Sequence, residues 1–386
     1  MRNDLPQDLI LHWHGWSPPP LMDGHPRLAV APGGRYAYDF PVAEAPGTYW
    51  YHSHTHMRTG EQTYRGIAGL LLVSDADEEA LRLPVGAREL PLIVQDRRLD
   101  AAGVPVYAPV GPAMMAGVQG TAPFVNGVHR PFVETETALY RLRILNGANA
   151  RVMRLARSDG EPLVLIGGDG GFLPTPQALS HIDVAPAERV DVLLDLRGRR
   201  PGDRIMLHSA PFTIPGTMGF MGGMNRQGEA LDLLEFRVTR QVTDPAVIPA
   251  RLPAPSLPEA RDAVRERHFR FDSLMMSHTI NGRSFEMERV DVTVPFGETE
   301  VWTLENPSAF PHPVHLHATH FRVLSRTGGR GAVQPWETGA KDVVLLWPQE
   351  TVRIVVRFTR QRGRYLLHCH NLEHEDMGMM ANIQVA

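Results

Sequence analysis

His368-Cys369-His370-Asn371-Leu372-Glu373-His374-Glu375-Asp376-Met377-Gly378-Met379 sets the only cysteine of the chain between two histidines, with a third histidine and a thioether close behind. Imidazole, thiolate and thioether donors together suit copper, because a Cys/His/His set with a weak Met tunes one ion while all-imidazole sets hold others. Three more segments carry the same theme: His12-Trp13-His14, His52-Ser53-His54 and His312-Pro313-Val314-His315-Leu316-His317. The four hold ten of the eighteen histidines, a density that scattered core or surface imidazoles do not produce. Alternate side chains of a β-strand share a face, so each His-x-His pair projects both rings to one side, and the pairs can surround one cavity. His25, His56, His129, His181, His208, His268, His278 and His320 lack a partner at ligand spacing and are read as ordinary imidazoles, although His56 and His320 lie beside ligand segments.

Outward from these segments, 386 residues exceed one ordinary domain and suggest two or three. The net charge of -4 and the dispersed arginines give no footprint for nucleic acid. No apolar run approaches the length of a membrane span. A single cysteine excludes an internal disulfide, so cysteine usage does not report the redox compartment. The opening Met-Arg-Asn-Asp-Leu-Pro lacks a basic n-region and an apolar h-region.

Short alternating runs separated by Pro and Gly indicate an all-β chain. Strands are expected at Ala138–Leu145, Arg189–Leu196 and Thr351–Phe358, and a short helix or loop at Asp75–Leu83. A first boundary falls at that helix. A second falls in the proline-rich stretch Asp244–Pro258, which resembles an extended linker. Three β-sandwich domains are expected, at residues 1–80, 88–241 and 262–386, with ligand segments in the first and last only. Gly167-Gly168-Asp169-Gly170-Gly171 has no helix pattern or Lys-Ser/Thr after it and reads as a β-turn rather than a phosphate loop.

Taken in order, the four histidine segments, with Gly47-Thr-Tyr-Trp-Tyr-His52-Ser-His54 and the run from His368 to Met379, resemble the multicopper oxidases of the bacterial laccase and copper-efflux type. The resemblance runs from His12 to the C-terminus and implies three cupredoxin-like Greek-key domains holding four copper ions. It implies His312, Cys369 and His374 on a type 1 copper, with Met379 as axial ligand. It further implies His12 and His315 on a type 2 copper, and His14, His52, His54, His317, His368 and His370 on a type 3 pair. Cys369 and its neighbours face opposite ways on one strand, so electrons would pass through roughly 10 to 13 Å of backbone and imidazole. The family is usually exported, so a periplasmic or secreted monomer is expected. The first ligand strand starts so near residue 1 that an N-terminal portion, any signal included, is expected to be missing and the first domain shortened.

Reduction of dioxygen to water also needs protons, which a carboxylate beside the cavity can relay. By resemblance Glu375 and Asp23 are the candidates, each weighed against a structural hydrogen bond, while Asp376 is read as orienting. Phenols or aromatic amines are the expected donors, in a pocket at an exposed edge of His374. The cuprous docking pair of efflux oxidases is absent before His312. The segment Arg267–Phe285, where efflux oxidases often carry a Met-rich insert, is short and holds only Met275 and Met276, while Met218, Met221 and Met224 in a Gly-rich loop could still attract soft ions or serve as flexible apolar filler. Cuprous oxidation in copper tolerance, and copper binding without turnover, are the alternative functions. A scaffold without activity should have lost ligands, and none is missing.

Overall fold

The computed structural model describes residues 1–214, 226–274 and 277–386. Strands form 44% of it and helices 9%, which makes the chain all-β as the alternation implies. The expected strands lie at Leu139–Asn146, Arg189–Asp195 and Glu350–Arg357, within a residue or so of the sequence bounds.

The N-terminal region forms one antiparallel sheet in the order β1 (Leu11–His14), β2 (Gly47–Ser53), β3 (Ala68–Val73). His12 lies opposite His52 and His14 opposite Trp50, so the histidines of both strands share a face. Trp13 and Tyr51 occupy the other face. With Trp16, Tyr38 and Phe40 they build an aromatic layer where a sandwich would have its second sheet, with ring centroids 5.0–6.1 Å from that of Trp13. The Tyr38 hydroxyl accepts from Leu11 N–H and donates to Leu11 O, each at 3.1 Å, and so satisfies backbone on the outer edge of β1. Gly24, at φ +85°, lets the next loop lie flat on that strand, since an added Cβ would come within 2.1 Å of Leu11 O. Asp23 is delivered inward by that contact.

A seven-stranded and a five-stranded sheet follow, between Glu89 and Arg240, around a core that includes Leu142, Ile144, Leu155, Val192, Leu207 and Phe236. Two five-stranded sheets complete the chain from Ala263 to Val385, around Phe271, Trp302, Leu304, Val344, Ile354 and Leu367. Residues 244–258 contain neither helix nor strand. Gly168 pairs with Gly171 across a tight turn, as expected for the glycine-rich stretch. Among the described residues are the helices α1 (Thr59–Tyr64), α2 (Ala76–Ala80), α3 (Ala113–Ala116) and α4 (Leu372–Asp376). Asp75 caps α2, the helix legible in the sequence, by accepting from Glu78 N–H. All four are too short for an apolar period to register, and α2 is legible through its acidic run after Asp75.

One buried ion network ties the three parts together. The Arg189 guanidinium forms a two-pronged pair with Asp342 at 2.7 and 2.5 Å, and donates to Thr48 O on β2 and to Asp169 O in the glycine-rich turn. Lys341 adds contacts of 2.8 Å to both Asp169 and Glu188. Removing one partner of such a buried pair leaves an uncompensated charge, so Arg189→Leu is expected to cost about 3 to 5 kcal/mol. A denaturation midpoint clearly below that of the unaltered chain is the expected reading; an unchanged midpoint would mean that the network contributes little.

Candidate metal centre

Eight histidines converge in a closed space between β1, β2 and the last sheet: His12, His14, His52, His54, His315, His317, His368 and His370, each at most 1% exposed. His315 and His317 come from the strand His312–Leu316 and the residue after it, and His368 from the neighbouring strand Gly363–Cys369. The register places His315 directly opposite His368. Trp50 stacks on His52, centroids 4.2 Å apart, and holds that ring in place.

The protonation of these rings follows from what lies outside them. His12 Nδ1–H donates to Asp23 O at 2.7 Å, His315 Nδ1–H to Asp342 O at 2.8 Å and His52 Nδ1–H to Ser53 O at 2.8 Å. His317 Nδ1–H donates to the Asp23 carboxylate at 2.7 Å, and His14, turned the other way, donates from Nε2 to Asp342 at 3.0 Å. Carbonyls and carboxylates only accept, so each outer nitrogen carries the proton. Burial holds His14, His52, His315 and His317 well below the usual imidazole range and His54 and His370 at about 3, and their like neighbours add to the effect. Neutral rings that spend their proton outward aim bare lone pairs inward.

These inward nitrogens lie too close to be left alone. His12 Nε2 is 3.3 Å from His315 Nε2, and His368 Nε2 is 3.1 Å from His317 Nε2 and 3.4 Å from His54 Nε2. His14 Nδ1 is 3.4 Å from His52 Nε2, and both nitrogens of the adjacent His370 are buried without a hydrogen-bond partner among the described residues. Facing lone pairs need an electrophile between them, and metal ions supply one. The donor set fits copper.

A second set lies on the opposite face of the same strand. Cys369 Sγ is 3.4 Å from His312 Nδ1 and 3.7 Å from His374 Nδ1, and the two nitrogens are 3.2 Å apart. Metal bonds of about 2.0 Å to nitrogen and about 2.3 Å to sulfur, opened at trigonal angles, separate donors by about 3.5 to 3.7 Å. The set therefore fits one ion. Met379 is fully buried, and its backbone bonds to Cys369 N–H and His374 O fix it beside these donors. Burial pushes the Cys369 thiol up, so a metal must displace its proton.

Every predicted ligand thus falls into one of the two clusters. Glu375 lies beneath the imidazoles, with Oε2 3.2 Å from His368 Nδ1 and Oε1 3.6 Å from His54 Nδ1. Asp23 lies on the other side, against His12 and His317. Asp376 accepts from Thr59 N–H and Gly60 N–H, each at 2.9 Å, and so ties α4 to α1. His320 lies 3.5 Å from Asp342, and His56 is not among the convergent rings. Met218, Met221, Met224, Met275 and Met276 lie outside the described residues.

One expectation is corrected: His374 has no exposed edge. Its ring is fully buried, Nε2–H donates to Met115 O at 2.8 Å, and His278 stacks on it with centroids 4.1 Å apart. The cause is α3, which reaches across from the middle part of the chain, with Met114 O receiving His278 Nε2–H at 3.2 Å. Sequence reasoning also missed Asp342 and His278. A charged Lys341-Asp342 pair directly before the apolar run Val343–Leu346 was the available signal for the first; His278 gave none.

An all-β scaffold with a Cys/His/His set and a buried Met beside a closed imidazole cavity defines a copper protein of cupredoxin fold. Multicopper oxidase family models match residues 1–78 and 253–386. A multicopper oxidase of Staphylococcus haemolyticus is 30% identical over 387 residues, covering 99% of this chain and 78% of that protein. The cell division protein FtsP of Dickeya dadantii is 34% identical, covering 95% and 76%. The crystal structure of the McoA multicopper oxidase of Aquifex aeolicus superposes with a TM-score of 0.91 at 36% identity, over 99% of this chain and 85% of that one. The chain belongs to the multicopper oxidase family, whose members are copper-dependent oxidoreductases.

Two substitutions separate the clusters. Cys369→Ser should abolish the intense blue thiolate-to-copper absorption and leave copper in the imidazole cavity; a persisting band would contradict the assignment. Asp23→Ala should weaken copper binding in the imidazole cavity by about 10- to 100-fold, because an outer carboxylate orients its ligand, and should spare the blue band. Equilibrium dialysis against a copper chelator reads the first effect and visible spectroscopy the second.

Proposed function

We propose that this chain is a laccase-like oxidase with four coppers, taking single electrons from phenols or aromatic amines and reducing dioxygen to water. Bound copper supplies one-electron storage and the reduction of dioxygen. The observation that carries the reading is the pair of clusters on opposite faces of one strand, Cys369 serving one and His368 the other. In this reading His312, Cys369, His374 and Met379 hold the type 1 ion, and His12 and His315 the type 2 ion. His14, His52 and His370 hold one type 3 ion, and His54, His317 and His368 the other. The ligand-bearing regions form the first and third domains, 1–80 and 262–386, with 88–241 between them. The periplasm or the extracellular medium is the proposed location; among the described residues no helix is long and apolar enough to cross a membrane.

The two carboxylates then divide the work. Asp23 is committed to His317 by a bond of 2.7 Å, which favours an orienting role. Glu375 is fully buried and makes no well-aligned hydrogen bond among the described residues. Burial raises its pKa, but the facing His54 and His368 outweigh that and bring it to about 2. It therefore rests as a carboxylate at the cavity wall, 3.2 Å from His368 Nδ1 and 3.6 Å from His54 Nδ1, the position from which a proton relay into the cavity would act. The closed walls keep out bulk water, so protons must come through such groups.

One observation favours cuprous ion as a second donor. A pocket of about 310 Å3 beside α4 has Met57, Met114 and Met377 in its wall together with Glu61, and methionine is a donor type that suits a soft cation. Oxygen uptake with a phenol, and separately with cuprous ion, tests both readings against copper storage, for which neither donor would drive uptake. Glu375→Gln should slow reoxidation by dioxygen at least about 100-fold, the scale of acid–base catalysis, and leave reduction by the donor nearly unchanged. Stopped-flow mixing reads the two half-reactions separately, and equal slowing would point to a purely structural role.

A further inference from the structure

A cavity of about 660 Å3 lies apart from both metal clusters, between α1, β3 and the strand Glu89–Arg97, and none of the proposed copper ligands lines it. Its wall includes Tyr64, Gln95, Arg97, Tyr107 and Phe124. Arg97 is the unusual member. Seven arginines are buried among the described residues, and Arg141, Arg143, Arg151, Arg157, Arg189 and Arg326 each contact a carboxylate. Arg97, 5% exposed, has none within ion-pair distance among those residues. Its polar contact is the carbonyl of its own neighbour Asp96 at 3.5 Å, and its guanidinium lies over the Tyr64 ring at 4.3 Å. The nearby Asp96 carboxylate favours the charged form but is itself paired with Arg151 at 2.8 Å, so burial leaves the Arg97 cation undercompensated, and a ligand anion would offset that cost.

The remaining wall narrows the chemistry. Tyr64 has its hydroxyl engaged by Arg98 N–H at 2.8 Å, and Tyr107 donates its own to Glu373 at 3.1 Å. With both hydroxyls engaged, Tyr64, Tyr107 and Phe124 bring mainly apolar ring surface to the wall, the Tyr64 ring being already covered on one side by the Arg97 guanidinium. Arg65 at the mouth is already paired with Glu61 at 3.0 Å, so the cavity offers one free positive charge. A volume of this size suits a small organic molecule better than an inorganic ion. One positive charge on a partly aromatic wall selects a planar ring that carries one carboxylate: the guanidinium fork takes the oxygens and the aromatic side chains pack against the ring.

We propose that this cavity is a binding site for an aromatic monocarboxylate, its carboxylate on Arg97 and its ring among Tyr64, Tyr107 and Phe124. Binding there requires no turnover, so the proposal stands or falls separately from the oxidase reading. The test is calorimetric titration of the copper-loaded full chain with cinnamate and with the uncharged cinnamyl alcohol. Cinnamate should bind saturably at one site, at least about tenfold more tightly than the alcohol, the scale of a hydrogen bond to a charged group. Arg97→Gln should remove that preference, and Phe124→Ala should weaken cinnamate while leaving the guanidinium in place. Equal binding of acid and alcohol, no saturable binding of cinnamate, or unchanged cinnamate affinity in both variants would overturn the assignment.

Discussion

The Arg189–Asp342 pair is the constraint on which the remaining geometry depends. Asp342 accepts from His14, which belongs to the first sheet, while its backbone carbonyl accepts from His315 of the last sheet. Arg189 meanwhile binds β2 through Thr48 O. A cavity assembled from distant parts of a chain needs its walls fixed to within fractions of an ångström, because metal donors tolerate little misplacement. A two-pronged guanidinium–carboxylate pair in a dry interior supplies that rigidity. The burial of Asp342 alone would push its carboxyl up, and Arg189 instead holds it well below the usual range, so the acid stays ionised and keeps its grip on His14.

The second governing fact is where the protons are. Each ring that donates outward to Asp23, Asp342 or a backbone carbonyl has one tautomer imposed on it, and its other nitrogen faces the centre as a lone pair. The protein has therefore already met the cost of desolvating and orienting the donors during folding. Strand alternation does the rest: Cys369 and its two histidine neighbours are consecutive, so two dissimilar sites are joined by a few covalent bonds and yet kept on opposite faces.

Most of this was legible in the sequence because it is local. Strand periodicity gave the all-β class, and ligand spacing of one intervening residue depends only on pleat geometry, which no tertiary context alters. What could not be read was anything joining distant segments. Asp342 lies 153 positions from Arg189 and 328 from His14, and no short-range pattern encodes such a meeting. The covering of His374 failed for the same reason: α3 is four residues long and has no period, and its effect appears only when it crosses to another part of the molecule. Arg97 was equally hidden, because an arginine with no carboxylate in ion-pair reach among the described residues differs from its paired fellows only in three dimensions.

The donor geometry contains one Cys/His/His set, and the proposed reading divides the convergent imidazoles into three more, His12 with His315, His54 with His317 and His368, and His14 with His52 and His370. The most direct test of the whole account is the metal content of the copper-loaded chain after exhaustive dialysis, measured per polypeptide by elemental analysis. Four copper ions per chain are predicted. A single copper, with the imidazole cavity left empty or filled by zinc, would contradict the reading of that cavity as a site for copper-dependent oxygen reduction.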